Sequence, residues 1–277
     1  MLTTTLDGIW ILQVLSGIEV LAPELGLRPH LPSAETRQMA LRHPVALELH
    51  QAGAISELGV VDEPILDWFT VLSRRDAAFL FLTCSASSSD QKRVLLARFK
   101  RWWVAIERNG LTVEIRDAGT AGTEQSARQV ISTQVNRLCG NIEPLAFRPV
   151  TLDLAELTNR VRDQGSLRAF LSSSGLDINQ LGALAQATDT SCARQTSIVS
   201  VRSGSLRMRS RSQVDPNTVT IIDGPNGRLL SEPINRDDRN WIVVSPGTPG
   251  QIAAAIRAML RRCPVEQEGH SNRKAVS

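Results

Sequence analysis

The sequence predicts an α+β protein of two similarly ordered halves, residues 1–146 and 147–264, with a polar tail over 265–277. Three observations carry this. Helix and strand signals fall in separate runs, as they do in α+β folds. The order helices, strands, helix occurs twice along the chain. From Glu266 to Ser277 the residues are polar and show no apolar face, the composition of a disordered segment.

In the first half, Thr3-Thr4-Thr5-Leu6-Asp7-Gly8-Ile9-Trp10-Ile11-Leu12 is rich in β-branched and aromatic residues and reads as a buried strand, bent or bulged at Asp7-Gly8. Pro23-Glu24-Leu25-Gly26-Leu27-Arg28-Pro29 has a proline at each end and a glycine between, so it reads as a fixed connector. Ser33 is placed to cap a helix carrying Met39, Ala40, Leu47 and Ala54. Asp62 caps a second, with Pro64 in its first turn and Ile65, Leu66, Phe69 and Leu72 on one face. Strands are expected over Ala77 to Cys84, over a long Arg93 to Glu107, and over Leu111 to Arg116 after the Asn109-Gly110 turn. Thr123 then opens a helix that buries Val130, Ile131, Val135 and Leu138.

In the second half, Asp153-x-x-Glu156 and Asp177-x-x-Gln180 are acidic variants of the capping box, and short helices are expected from about Leu154, Leu167 and Ile178. Strands are expected over Thr196 to Arg202, Leu206 to Gln213, Val219 to Ile222, Arg228 to Glu232 and Trp241 to Val244, with a turn from Asp223 to Gly227. Thr248-Pro249-Gly250-Gln251 caps a last helix with Ile252, Ile256, Met259, Leu260 and Cys263 on one face, and Pro264 stops it.

Composition narrows the function. With 277 residues and 42% hydrophobic content the chain has enough apolar side chains for a sizeable core. Its longest apolar runs, Ile9 to Leu15 and Ala77 to Leu82, fall far short of the roughly 18 residues that span a bilayer. No Lys or Arg precedes the first apolar run, so no secretory signal is expected and the cytoplasm is the expected location. Cys84, Cys139, Cys192 and Cys263 are far apart and read as buried reduced thiols. A net charge of +3 is below that of a dedicated nucleic-acid module.

Catalytic motifs are missing: there is no glycine-rich phosphate loop, Gly-x-Ser-x-Gly, His-Glu-x-x-His or Cys-x-x-Cys. His30 and His50 read as surface or helix-flank residues, and Asp237-Asp238, between Arg236 and Arg239, as a neutralised loop. No enzyme activity, cofactor or metal is expected. Two segments look more like interaction surfaces. A strand over Leu206 to Gln213 puts Arg207, Arg209 and Arg211 on one face, which is either solvated or a basic ridge for an acidic partner. In Arg93 to Val104, Arg98, Lys100 and Arg101 interrupt Val94, Leu95, Leu96, Phe99, Trp102 and Trp103, which makes either a core face with snorkelling cations or an amphipathic docking face.

The Asp7-Gly8-x-Trp10 strand, the Pro-Glu-Leu-x-x-Arg-Pro connector, Arg74-Arg75-Asp76 before the apolar strand, and Val243-Val244-Ser245-Pro246-Gly247-Thr248-Pro249 before the last helix together resemble the EspG family, cytosolic chaperones of type VII (ESX) secretion in mycobacteria. The resemblance runs from Leu2 to about Pro264. It implies a quasi-twofold fold with a central, mainly antiparallel sheet flanked by N-terminal and C-terminal helical bundles. It also implies a PE–PPE heterodimer as partner, bound at the hydrophobic tip of PPE, and admits an ESX cytosolic ATPase as a second; nucleic acid and direct membrane insertion are not implied. Carried across, the interface comprises Ser87, Asp90 and Lys92 in the Ser85 to Lys92 loop, Arg98 and Lys100 in the next strand, and Val201, Arg202, Arg207, Met208, Arg209, Arg211 and Gln213 in the Thr196 to Gln213 hairpin. Two readings from other classes stand beside this one: a nucleic-acid-binding regulator using the same arginines, and an enzyme with a dispersed site.

Overall fold

The computed structural model describes residues 1–85, 88–189, 191, 193–203, 212–215 and 217–262. Strand β1 (Leu2–Thr5) passes directly into helix α1 (Leu6–Ser16), so the stretch expected to be one strand is mostly helical. Thr5 caps the helix by accepting the Gly8 amide at 3.2 Å. A Cβ on Gly8 would lie 1.9 Å from Thr4 Oγ1, so any larger residue here would force the Thr4 side chain to move. Gly8 to Val14 is buried throughout, which erases the 3.6-residue pattern and leaves a strand-like composition.

The connector is held from both sides. Pro23–Leu25 forms one 3-10 turn. Buried Arg75 donates to the Leu21 and Leu72 carbonyls at 2.8 and 2.6 Å and pairs with Glu24 at 2.6 Å. Arg108 donates to the carbonyls of Leu25 and Gly26 at 2.8 and 2.9 Å. Beyond it, the helix expected from Ser33 is two, α2 (Arg37–Arg42) and α3 (Pro44–Gln51). Thr36 is the cap, accepting the Met39 amide, and Pro44 breaks the ladder because it has no amide to donate. Helix α4 (Glu63–Arg74) buries Ile65, Phe69 and Leu72 as expected.

Strand β2 (Ala77–Ser85) follows. The long strand expected over Arg93 to Glu107 is a hairpin of β3 (Ser88–Phe99) and β4 (Trp102–Asn109). Its turn uses Lys100 in the left-handed region at φ 55, with the Lys100 amide bonded to Asp76 at 3.2 Å. No glycine, asparagine or proline marks it. Strand β5 (Thr112–Thr120) and helix α5 (Glu124–Cys139), capped by Thr123, complete this half.

The second half contains β6 (Val150–Asp153), α6 (Leu154–Arg160), α7 (Gln164–Ser173), α8 (Ile178–Thr188), β7 (Arg194–Ser203), β8 (Ser212–Val214), β9 (Val219–Gly224), β10 (Gly227–Arg236), β11 (Arg239–Pro246) and α9 (Pro249–Arg262). Asp153 and Asp177 cap α6 and α8 as expected. Helix α7 starts earlier than Leu167, because Asp163 and Ser166 form a capping box. Of the strand expected over Leu206 to Gln213, only its last two residues are described, at the start of β8, and the expected tail lies outside the described residues.

All named strands join one antiparallel sheet in the order β1-β5-β4-β3-β2-β7-β9-β10-β11-β6, with β8 on β7. The two halves have the same path. Each begins with a four-residue edge strand, runs through helices, enters the sheet at its centre as β2 or β7, works outward to pair with its own edge strand, and ends in a helix. Helices α5 and α9 pack on each other over one face, burying Phe79, Phe81, Trp103, Ile198 and Leu230. On the opposite face α1 and α4 lie over the first half, and α6 and α8 over the second.

One pH effect follows from the packing around α1. Glu35 is buried beside His30, with 3.0 Å between its Oε2 and His30 Nδ1; it accepts the Leu31 amide at 2.8 Å and pairs with Arg28, which lies over the Trp10 ring. Burial alone would raise the carboxyl pKa, but the Leu31 amide, His30 and Arg28 outweigh it and hold the group at about 2 against an ordinary 4.5. A depressed folded pKa gives stability that is complete above 4.5 and disappears as pH falls toward about 2. Urea midpoints measured across that window should fall less steeply in Glu35→Gln than in the wild type; parallel slopes would show that Glu35 does not carry the linkage.

Candidate partner-docking face

Among the described residues, the helices opposite α5 and α9 leave the central strands only partly covered toward the β2–β3 end. Register puts Arg93 beside Leu82, Leu82 beside Ser197, Ser197 beside Thr220 and Thr220 beside Ser231, all on one face. Every one of these residues is partly exposed although its strand is internal to the sheet. Leu80, also partly exposed, extends the apolar part by one step, between Leu95 and Val199. The result is a trough with a leucine floor on one side and a hydroxyl floor on the other, where Ser197 and Thr220 are bonded at 3.2 Å. Arg93 and Arg108 form its rim.

Beneath the trough the strands are locked by a buried ionic cluster. Asp223 on β9 accepts from Arg228 Nε on β10 at 2.6 Å and from Arg194 Nη2 on β7 at 2.9 Å. Both arginines also donate to the Cys139 carbonyl, at 2.8 and 2.6 Å, and Arg228 to that of Gly140 at 3.1 Å. Two guanidinium groups therefore close the negative C-terminal end of α5.

The residues expected at the interface fall at two ends of the sheet. Lys92 stands near the β2–β3 loop on the α5 side, paired with Glu107 at 2.5 Å. Asp90 belongs to β3. Arg98 is 3% exposed, bonded to Asp76 at 2.7 Å and stacked on Trp103, and Val201 is buried in the core. Lys100 is exposed in the β3–β4 turn. Arg202 on β7 pairs in register with Gln213 on β8. Ser87, Arg207, Met208, Arg209 and Arg211 lie outside the described residues. Sequence reasoning missed Leu82, Ser197, Thr220 and Ser231, because only the pairing of β2, β7, β9 and β10 brings them together.

Two expectations about reactive groups change: the exposure of Cys84 and the burial of His30. Cys84 is an exposed free thiol, whereas Cys139 is buried and burial raises its pKa. Cys192 and Cys263 lie outside the described residues. His30 is buried against Glu35 instead of standing at the surface. Among the described residues no group of three or more His, Cys, Asp or Glu side chains is placed to hold a metal ion, and no helix is long and apolar enough to cross a membrane.

An open sheet face framed by helices, with an apolar floor and a basic rim, defines a protein-recognition scaffold. The chain belongs to the EspG family, whose pattern matches residues 5–258. It is 41% identical over 277 residues to the ESX-2 secretion-associated protein EspG2 of Mycobacterium tuberculosis, covering all of both chains. It is 23% identical over 297 residues to the ESX-5 secretion-associated protein EspG5 of Mycobacterium marinum, covering 98% of this chain and 96% of that protein. Its fold matches that of the Mycobacterium tuberculosis type VII secretion system chaperone EspG5, solved in complex with a PE25-PPE41 dimer, with a TM-score of 0.74, 21% identity, and coverage of 96% and 98% of the two chains.

Proposed function

We propose that this protein is a cytoplasmic, non-enzymatic chaperone that binds a PE–PPE heterodimer through the sheet trough, keeps it soluble and directs it to a type VII secretion system. The observation that carries the reading is the row of partly exposed residues on internal strands, since water-exposed leucine at the centre of a sheet is relieved by docking. Family membership supports it, as does the partner named with the EspG5 structure. Leu80 and Leu82 would take apolar side chains of the PPE tip, while Ser197, Thr220 and Ser231 would bond polar groups beside it. Arg93 would fix register against a carboxylate.

Co-expression with a panel of PE–PPE pairs tests this. With the cognate pair, a soluble three-chain complex should elute as one species, and PPE should become insoluble when the chaperone is omitted. Failure of every pair to co-elute would overturn the reading.

A further inference from the structure

The end of the sheet remote from the β2–β3 loop carries its own surface. Along β3, Lys92 and Lys100 are eight residues apart, about 26 Å at the rise of an extended strand. The C-terminus of α4, the β3–β4 turn and the C-terminus of α9 meet at this remote end. Asp76, just after α4, accepts from Arg98 and from the Lys100 amide, and Arg261 on α9 stands 4.0 Å from Glu124 at the start of α5. Exposed there are Arg74, Lys100 and Arg101, with Trp102 46% exposed.

These cations differ from those around them. Arg98, Arg261 and Arg262 each face a carboxylate, on Asp76, Glu124 and Asp215. Arg74, Lys100 and Arg101 have no ion pair among the described residues; Arg101 lies 5.2 Å over the Trp102 ring and Lys100 5.7 Å over that of Phe99. The turn is preorganised, because Asp76 holds both its buried arginine and its left-handed residue. An exposed tryptophan on a rigid turn, with an unpaired arginine over its ring and two further unpaired cations at the same end of the sheet, has the composition of a binding hot spot. Interleaved Asp76, Glu124 and Asp215 would repel a continuous phosphate backbone, while leaving separate cations free for individual carboxylates.

We propose that Arg74, Lys100, Arg101 and Trp102 form a second docking surface for an acidic protein segment carrying an apolar side chain, used while the trough holds its own cargo. Lys100 then serves this partner and not the one in the trough. The two surfaces lie at different places on the sheet, so neither blocks the other, and this assignment stands whether or not the trough binds PE–PPE.

The probe is a fluorescein-labelled peptide of alternating glutamate and leucine, titrated with the full chain and followed by anisotropy. A lysine–leucine peptide, a glutamate–serine peptide and a short single-stranded DNA are the comparisons. The glutamate–leucine peptide should bind most tightly. Lys100→Asp with Arg101→Glu should weaken it about ten-fold or more; aspartate is chosen because it tolerates the left-handed conformation of residue 100. Arg74→Glu, outside the turn, should weaken it independently. Trp102→Ala should weaken the leucine peptide but not the serine one. Thermal melts matching the wild type establish folding, and co-elution with a PE–PPE pair, where one is found, should be unchanged in all variants. Equal binding of the lysine peptide, tighter binding of DNA, or no response to any of the variants would overturn the proposal. Equal loss of PE–PPE binding in Lys100→Asp/Arg101→Glu would overturn it too, by merging the two surfaces into one.

Discussion

Asp223→Ala should destabilise the fold by about 3–5 kcal/mol, the usual consequence of removing one member of a buried ion pair and leaving its partner charged. Asp223 and Arg228 are 3% and 5% exposed in their side chains, and Arg194 is partly buried. With the carboxylate gone, Arg228 keeps only the Cys139 and Gly140 carbonyls and Arg194 only that of Cys139, so two positive charges face each other without an anion. The strain falls on β7, β9, β10 and the end of α5 together, because the cluster is their common joint. Urea unfolding followed by circular dichroism reads the effect as a lower midpoint at unchanged slope. A loss under about 1 kcal/mol would mean that solvent reaches the cluster and screens it. Asp223→Asn, which keeps the shape and one acceptor oxygen, should fall between the wild type and Asp223→Ala.

Helices with a free face were legible in the sequence. Helices α5 and α9 fall where the side-chain caps of Thr123 and Thr248 signal them, and α4 falls where Pro64 and its apolar face signal it, although Asp62, expected to cap it, makes no side-chain capping bond. Helix α1 was not legible, since burial on all sides leaves no periodicity and Ile, Trp and Val weight the composition toward strand. The β3–β4 turn was hidden because Lys100 adopts φ 55, an uncommon conformation for lysine, with its amide held by Asp76. Strand β6 has only four residues and gains its status by pairing with β11. The repeat was readable as an order of elements, whereas the trough was not. Its floor residues come from four strands between Leu80 and Ser231 and its rim from two more, and alternation along any one of them says only which side chains share a face.

Leu82→Asp should abolish PE–PPE capture with little change in the stability of the free protein. Leu82 sits in the leucine floor of the trough beside its basic rim, flanked in register by Arg93 and Ser197, and is already partly exposed, so the free chain hydrates the new carboxylate and Arg93 stands beside it. In the complex the same carboxylate would be pressed against an apolar tip. That replaces the gain from burying a leucine, about 1.5–3 kcal/mol, with the cost of desolvating a charge. Affinity should fall at least about 100-fold, roughly 2.7 kcal/mol, and mainly through faster dissociation. Ser197→Trp provides a second test without charge, because a bulky ring in the hydroxyl floor blocks approach by shape alone. Titration calorimetry against the cognate pair, with thermal melts of each free variant, separates binding from folding. If both variants keep wild-type affinity, the heterodimer docks elsewhere on the chain and the exposed leucines belong to the sheet alone.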